Sequence, residues 1–259
     1  MTGDSERQES YVQSLSRGLG VLRCFTASTP NLTIAEVAHA TGLTRSTARR
    51  FLHTLKTLGY VGSQNGRFHL RPRVLELGYA YLSSVSIADI AQECLAPVAE
   101  ELHEACSAAV LDGHDIFFIA RVQTSRVMSI TLTVGTRLPA YLTSLGRVLL
   151  AGLSEAELDE YLRTAEFHRE TGRTVVEKDA LRELLAKVRR DGYCLVDQEM
   201  EIGVRSVAVP VRDGTGNVVA AVNAAAHASR VGLASLRKTF LPRLQEAAQE
   251  IETALAAKR

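Results

Sequence analysis

The chain has 259 residues, of which 46% are hydrophobic and 23% charged, a composition that provides a sizeable core and excludes a largely disordered protein. No apolar run reaches 18 residues, and the polar start MTGDSERQES lacks the apolar segment of a signal peptide, so we expect no membrane association and a cytoplasmic location. The four cysteines show no Cys-x-x-Cys spacing and adjoin no histidine pair, so neither a zinc site, a disulfide framework nor a cofactor is expected.

Charge is divided unevenly along the chain. Residues 10–73 contain nine Lys or Arg residues and a single acid, Glu36, whereas the part from Val74 onward contains 20 basic and 25 acidic residues. A small, strongly basic segment suits the phosphate backbone of nucleic acid, and an acidic remainder is repelled by it. Because the length also exceeds that of a typical domain, we predict two domains with different partners.

Three short helices are predicted within the basic segment. The first covers Val12–Phe25, where apolar residues recur at spacings of three and four. The second begins at Thr33, which forms a capping box with Glu36, and ends at Gly42; the third begins after Thr44. The residues predicted to face inward are Leu15, Leu19, Leu22 and Phe25 in the first helix, Ile34, Val37 and Ala38 in the second, and Ala48, Phe51 or Leu52, Leu55 and Leu58 in the third.

The second and third helices have the spacing of a helix-turn-helix. Small residues at Ala38 and Ala48, with a turn glycine at Gly42, allow two helices to cross closely. The outward side of the third helix is basic, and the N-terminal end of a recognition helix makes most base contacts. We assign Arg45, Ser46 and Arg49 to base edges, and Thr33, Thr44, Arg50 and Lys56 mainly to phosphates. The alternative is a solvated charged helix face, although such faces usually mix both signs of charge.

A β-hairpin is predicted directly after the third helix. Tyr60-Val61 and Arg67–Leu70 flank Asn65-Gly66, a dipeptide that favours a tight hairpin turn. A hairpin at this position is the wing of a winged helix, and Arg67 at its tip is a candidate for DNA contact, with plain solvent exposure as the alternative. Pro72 opens a further helix, Arg73 to Tyr81, that connects to the second domain.

Helices and strands alternate irregularly in the second domain, which predicts an α+β fold with an antiparallel sheet. A helix over Ser86–Ala105 has one broad apolar side, which suits either a dimer interface or an intramolecular core. The other predicted helices are 145–153, 155–164, 179–191 and a long terminal helix from about Leu233, which Pro242 kinks or restarts. The predicted strands are 107–111, 116–122, 128–134, 193–197, 205–212 and 218–226.

Several segments resemble the isocitrate lyase regulator (IclR) family of bacterial transcription factors, in order and over nearly the whole chain. These segments are Val12–Phe25, Leu32–Leu58, Leu70–Tyr79, Leu138–Ala151, Gly192-Tyr193, Val196–Glu199, Gly203–Pro210 and Ala220–Asn223. The opening Tyr-Val-Gln-Ser-Leu-x-Arg-Gly-Leu is similar to the branch that includes regulators of the protocatechuate, 4-hydroxybenzoate and β-ketoadipate pathways. Where family members often have Lys and Cys, this chain has Arg147 and Ser206.

The resemblance implies a GAF-like sensor fold, a homodimer or dimer of dimers that binds double-stranded operator DNA, and a small organic acid as effector. It divides the chain into a disordered tail at 1–10, a winged helix-turn-helix at 11–71, a linker helix at 72–84 and an effector-binding and oligomerisation domain at 85–259. Amides and hydroxyls at the start of the helix near Leu145 would hold a carboxylate, with Arg147 or Arg205 as candidate counter-charges. The implied effector site comprises Ala140, Tyr141, Thr143, Ser144, Leu145, Gly146, Val196, Asp197, Val204, Ser206 and Asn223.

Two other functions are considered. An enzyme is disfavoured because the seven histidines show no metal-binding spacing such as His-Glu-x-x-His, and Ser144 lies in no Gly-x-Ser-x-Gly elbow. A DNA-binding protein whose second domain only forms oligomers is the closer alternative. Stabilisation by ligand distinguishes it from a sensor, because a molecule that binds only the native state raises the melting temperature.

Overall fold

The structure is a computed structural model that describes residues 11–77, 87–123 and 132–257. The chain divides into two compact units, Met1–Ser84 and Val85–Arg259. The tail predicted at 1–10, the part of the linker helix beyond residue 77 and most of the strand predicted at 128–134 lie outside the described residues. None of the helices within these ranges is long and apolar enough to span a bilayer.

The first unit contains three helices followed by a hairpin. They are α1 (Gln13–Arg23), α2 (Ile34–Thr41), α3 (Arg45–Thr57), β1 (Val61–Gln64) and β2 (Arg67–Leu70), followed by a 3-10 turn at Pro72–Leu75. The Asn65-Gly66 turn has φ angles of 50° and 76°, as the hairpin prediction requires. Leu32 bridges to Phe68 on the free side of β2, so the wing is attached to the segment before α2.

The start and end signals of α2 and the start signal of α3 are confirmed. The Thr33 hydroxyl accepts a hydrogen bond from the Glu36 amide at 3.3 Å, and the Glu36 carboxylate accepts one from the Thr33 amide at 2.6 Å. Hydrogen bonds from the Thr33 amide and hydroxyl lower the pKa of Glu36. Gly42 ends α2 at φ 67°, and Thr44 caps α3 by accepting from the Thr47 amide. Both helices are therefore fixed by local hydrogen bonds.

The packing of α1 differs from the prediction. Val21 is completely buried and Phe25 is buried, whereas Leu15 and Leu19 are 63% and 47% exposed. Apolar residues occur on two sides of this helix, so the spacing between leucines did not identify the side that faces the core. The prediction for α3 was right for Ala48, Leu52 and Leu55 but wrong for Leu58, which is 49% exposed at the C-cap.

The second unit is built on a six-stranded antiparallel sheet, in the order β5-β4-β3-β8-β7-β6. Its strands are β3 (Ala105–Asp112), β4 (Asp115–Val122), β5 (Arg137–Pro139), β6 (Cys194–Asp197), β7 (Val204–Arg212) and β8 (Val218–His227). Its helices are α4 (Ile87–Leu102), α5 (Ser144–Ala151), α6 (Glu155–Thr164), α7 (Lys178–Asp191) and α8 (Leu241–Ala257). Residues of α4 and α8 form a core on one face of the sheet, and residues of α5, α6 and α7 form a core on the other. This confirms the α+β prediction.

The apolar side of α4 packs inside the second unit. Ile90, Leu95 and Val98 lie in the core that α4 forms with α8 and the sheet. Since this side is already covered by the same chain, it gives no support to a dimer. Two further details differ from the sequence prediction: Arg137–Pro139 forms a strand that was not predicted, and the segment before α8 contains a π-helical turn at Leu236–Phe240. Pro242 restarts the helix directly after that turn, as expected of a residue without an amide hydrogen.

Candidate functional site

The N-terminal half of α3 presents unpaired positive charge. Arg45, Arg49 and Arg50 are exposed, and within the described residues none of their side chains has a hydrogen bond or ion pair. The buried side of the same helix holds Ala48 and Leu52 in the core. The three guanidinium groups therefore lie on the outward side, available to an anionic partner. Base and phosphate contacts by these residues stay predictions.

The other residues predicted to contact DNA are held by internal hydrogen bonds. The hydroxyls of Thr44 and Ser46 lie 3.0 Å apart at the start of α3, and the Thr33 hydroxyl caps α2. The Lys56 ammonium donates to the Ser63 hydroxyl in β1 at 2.7 Å. Lys56 thus links the recognition helix to the wing, so a phosphate contact by Lys56 competes with this bond.

Arg67 is engaged on the helix-turn-helix rather than extended from the wing tip. Its guanidinium donates to the Asn31 carbonyl at 3.1 Å and pairs with Glu36 at 3.4 Å. About half of its side chain is exposed, so the pair is weakened by solvent. Arg67 therefore attaches the wing to α2, and it must leave Glu36 before it can contact DNA.

A buried pocket lies on the face of the sheet that packs against α5. Its volume is about 50 Å³, far below the roughly 300–1,000 Å³ typical of ligand pockets. Its walls are mainly apolar, and its polar side chains come from three strands and the start of α5. The pocket is lined by Phe118, Arg121, Leu132, Leu138, Leu142, Thr143, Leu145, Val196, Met200, Val204, Ser206, Asn223 and Ala225.

Six of the residues that the resemblance implied line this pocket, namely Thr143, Leu145, Val196, Val204, Ser206 and Asn223. Five others do not line it, namely Ala140, Tyr141, Ser144, Gly146 and Asp197. All of the six except Thr143 and Leu145 lie on strands β6, β7 and β8. The strand residues of the site were therefore predicted better than the segment that leads into α5.

Four of the five residues outside the pocket make specific contacts elsewhere in the fold, and the fifth, Ser144, is buried. The Tyr141 hydroxyl bonds the backbone of His168 at 2.8 and 2.7 Å, and Asp197 pairs with Arg173 and Arg205. Gly146 packs so closely on Ala140 that a Cβ would lie 2.1 Å from the Ala140 carbonyl oxygen. Ser144 is completely buried, and its hydroxyl has no partner among the described residues.

Neither arginine that the sequence offered as a counter-charge is free. Arg147 is completely buried and donates two hydrogen bonds to Glu199, at 2.7 and 2.6 Å, and one to the Tyr141 carbonyl. Arg205 pairs with Asp197 and also donates to the carbonyls of Ala228 and Val231. Both guanidinium groups therefore stabilise the fold.

Arg121 is the arginine that lines the pocket, and sequence reasoning missed it. One terminal nitrogen donates to the Ser107 hydroxyl at 2.9 Å, while the buried Nε has no partner and no carboxylate lies within ion-pair distance among the described residues. Burial lowers the pKa of Arg121, because the charged form is poorly solvated. A charged residue in a strand of otherwise apolar side chains, Ile116–Ala120, was the available signal.

Arg121 belongs to a polar row across the sheet. In the strand register, Ser107 of β3 lies opposite Arg121 of β4 on one side and opposite Asn223 of β8 on the other. Directly opposed residues project from the same face of a sheet, so the three side chains share the pocket side. Their Arg and Asn members each contain a buried polar atom without a partner, Arg121 Nε and Asn223 Oδ1.

A larger groove of about 720 Å³ lies along α7 and the edge strand β6. It is an open surface feature with exposed charged residues such as Lys187, Arg190 and Asp191 on its rim. Because enclosure and apolar walls are what hold a small ligand, we regard the smaller pocket as the candidate site. Across the described ranges, no group of three His, Cys, Asp or Glu side chains is placed to hold a metal ion.

Comparison with known proteins matches both units of the chain. A family model described as IclR helix-turn-helix domain matches residues 14–64, and one described as bacterial transcriptional regulator IclR C-terminal matches residues 79–253. The chain is 44% identical over 251 residues to the Pca regulon regulatory protein of Pseudomonas putida, a match that covers 96% of this chain and 85% of the relative. It is 35% identical over 250 residues to the p-hydroxybenzoate hydroxylase transcriptional activator of Acinetobacter baylyi, covering 95% and 92%.

A solved structure also resembles the whole chain. It is an IclR homolog from Microbacterium hydrocarbonoxydans complexed with 4-hydroxybenzoate. The two match with a TM-score of 0.83 at 27% sequence identity, over 94% of this chain and 99% of that chain. The likeness therefore extends across both units.

Proposed function

Since the chain belongs to the IclR family of bacterial transcriptional regulators, we propose that a small aromatic carboxylate binds the pocket beneath α5 and controls binding of operator DNA by the winged helix-turn-helix. The protein is a DNA-binding regulator and not an enzyme. We assign DNA binding to residues 11–71, a linker to 72–84, and effector binding with oligomerisation to 85–259. The relatives named for the Pca regulon and for p-hydroxybenzoate hydroxylase support an aromatic-acid pathway.

The unsatisfied guanidinium group of Arg121 is the observation that indicates a carboxylate ligand. A guanidinium group with a buried, unpartnered Nε, and with no carboxylate beside it among the described residues, is an incomplete ion pair. Leaving such a donor buried is costly, and a ligand carboxylate would complete the pair through charge-assisted hydrogen bonds. The apolar side chains of Phe118, Leu142 and Leu145 supply the walls that an aromatic ring requires.

The small volume of the pocket implies that its walls move when the ligand enters. A cavity of about 50 Å³ holds one or two water molecules. We infer that Met200, whose unbranched side chain adapts easily, shifts together with neighbouring leucines to admit the ring. A ligand that binds the open arrangement better than the closed one shifts the population between them, which is what regulation by an effector requires.

We expect replacement of Arg121 by Met to weaken binding of 4-hydroxybenzoate and protocatechuate by about 10- to 100-fold, since a hydrogen bond to a charged group contributes roughly 1.5–3 kcal/mol. Titration calorimetry on the full chain measures this change. The control is Arg237→Met, because Arg237 is an exposed arginine outside the pocket. Equal affinity in both variants would reject Arg121 as the anchor.

A thermal-shift series with 4-hydroxybenzoate and protocatechuate tests the effector proposal itself, and β-ketoadipate, an aliphatic dicarboxylate, tests whether the aromatic ring is required. Ligand at 100 times its Kd should stabilise the native state by about 2.7 kcal/mol and raise the melting temperature by several degrees. If none of the three acids raises it, the second unit is an oligomerisation module and the sensor proposal is wrong.

We propose further that the chain forms a homodimer, and by pairing of dimers a tetramer, with α1 as one contact. Two-fold symmetric regulators bind two half-sites, so a dimer fits this DNA-binding mode. Of the exposed large hydrophobic residues in the described ranges, most lie in the first unit, namely Tyr11, Val12, Leu15, Leu19, Leu58, Leu75 and Leu77. Leu15 and Leu19, four residues apart, lie on the same side of α1, and exposed apolar side chains grouped in this way mark an interaction surface.

Replacement of Leu15 and Leu19 by Glu is expected to disrupt the contact between the first units of two protomers. Charge placed in an apolar interface loses solvation without gaining a partner. Analytical ultracentrifugation of the L15E/L19E variant should show a smaller species than the parent chain at equal concentration. The matched control, Gln13→Glu with Ser16→Glu, changes exposed polar positions of the same helix. An unchanged sedimentation coefficient for L15E/L19E would show that α1 is not an interface.

A further inference from the structure

Asn223 is an isolated polar residue in an apolar strand. Between Val218 and Ala226, every other residue of β8 is Val or Ala. Its side chain is only 8% exposed, lines the pocket, and has an Oδ1 atom without a hydrogen-bond partner among the described residues. Because an unsatisfied buried acceptor destabilises a native protein, a residue of this kind is expected where a ligand supplies the missing donor.

The neighbours of Asn223 do not supply that donor. Ser107, opposite it on β3, accepts a hydrogen bond from Arg121 but makes no bond to Asn223 Oδ1, and Ala208, opposite it on β7, has no polar side-chain atom. The nearest polar residue of the next row is Ser206, which lies opposite Ala225. The polar row therefore presents a donor with positive charge at Arg121 and an unfilled acceptor at Asn223, two strands away across the sheet.

A ligand carboxylate can bond Arg121 but not the Asn223 Oδ1 atom, because an ionised carboxylate has no hydrogen to donate. We propose that Asn223 accepts a hydrogen bond from a ring hydroxyl of the ligand whose carboxylate lies at Arg121, and that the pocket thereby selects hydroxylated aromatic acids over unsubstituted ones. This inference rests on the proposed function of the pocket. It assigns specificity to Asn223 and affinity for the carboxylate to Arg121.

A series of ligands with equal charge and the same ring tests the proposal. We expect the full chain to bind 3-hydroxybenzoate or 4-hydroxybenzoate at least about 10-fold more tightly than benzoate, since a site built to bond a hydroxyl discriminates strongly against its absence. Calorimetric titration measures the three dissociation constants. Equal affinity for all three acids overturns this inference but leaves the aromatic-carboxylate proposal standing. If none of them binds and protocatechuate does not bind either, the proposed function is rejected instead.

Asn223→Leu is the decisive variant, because it has nearly the same size and no acceptor. We expect its affinity for the preferred hydroxybenzoate to fall to within about 3-fold of its affinity for benzoate, while benzoate binding equals that of the parent chain. The ligand-free variant should melt no lower than the parent, because an unsatisfied acceptor has been removed. Asn223→Ala, which adds no atoms, provides the same comparison if Leu disturbs the pocket.

Two outcomes contradict the assignment. If Asn223→Leu weakens the binding of benzoate as much as that of hydroxybenzoate, the Asn223 amide contacts the ligand carboxylate and not a ring hydroxyl. Ser206→Ala is the matched control, since Ser206 also lines the pocket and is also 8% exposed. We expect this variant to keep the preference for the hydroxylated ligand. If Ser206→Ala loses the preference for hydroxybenzoate over benzoate and Asn223→Leu keeps it, Ser206 and not Asn223 bonds the ring hydroxyl.

Discussion

Replacement of Arg45 and Arg49 together by Ala is expected to abolish specific binding of operator DNA. Both side chains are exposed near the start of α3, and neither has a protein partner among the described residues. Their guanidinium groups are therefore available for bidentate bonds to guanine edges, which the N-terminal part of a recognition helix usually makes. Each such bond contributes roughly 1–3 kcal/mol, so the double variant should bind at least about 30-fold more weakly.

The experiment requires DNA selected by the parent protein itself, for example genomic fragments recovered by binding and mapped by footprinting. Fluorescence anisotropy at fixed salt then compares the parent with the R45A/R49A variant, because affinity for DNA depends steeply on ionic strength. The control, Arg190→Ala with Arg237→Ala, removes two exposed arginines from the second unit. A footprint that persists in R45A/R49A would mean that another surface reads the operator. Stabilisation by aromatic acids should be the same in both variants.

The DNA-binding unit was predictable because its signals are local. Thr33 and Glu36 are three residues apart and form the capping box, and Asn65-Gly66 forms the turn between β1 and β2. Such features need only neighbouring residues to form. The exception was α1, where the side that meets the core depends on contacts with distant residues such as Phe51, which packs beside Gly18.

The candidate pocket was only partly predictable, because its geometry depends on strand pairing. Arg121 and Asn223 both border Ser107, yet they are more than a hundred residues apart in the sequence. Sequence reasoning instead assigned a possible ligand charge to Arg147, which follows directly on the predicted site residues 143–146. The partner that occupies Arg147 is Glu199, at a sequence separation of 52 residues. Nothing in the local sequence around either residue indicates that pair.

Loss of the Glu199 carboxylate, the counter-charge of Arg147, is expected to lower the free energy of unfolding more than the other substitutions do. The Arg147 side chain has no exposed surface, and that of Glu199 is 11% exposed. Burial lowers the pKa of Arg147, but hydrogen bonds and charge from Glu199 outweigh this and raise it overall. Removal of one partner from a buried ion pair leaves a charge without compensation and costs about 3–5 kcal/mol. Glu199→Gln should therefore lower the melting temperature of the second unit by roughly 10 °C.

Thermal and urea denaturation of Glu199→Gln measure this cost, with Glu160→Gln as the matched control. Glu160 pairs with Arg163 on the surface of α6, where both side chains are more than half exposed, so its loss should change the melting temperature by at most about 2 °C. The double variant R147M/E199L should recover most of the loss, because an apolar pair of similar volume removes both buried charges. If Glu199→Gln and Glu160→Gln melt alike, the buried pair does not stabilise the fold.

The Arg147–Glu199 pair also affects the pocket, because Glu199 directly precedes Met200 in the pocket wall. Glu199 also accepts a hydrogen bond from the Val175 amide through its side chain and one from the Thr174 hydroxyl through its carbonyl, and Met200 follows it directly in the pocket wall. Arg147 thus holds the start of that wall in place without lining the pocket itself. We therefore expect Glu199→Gln to weaken aromatic-acid binding together with stability, whereas Arg121→Met weakens binding and leaves the melting temperature of the ligand-free protein nearly unchanged.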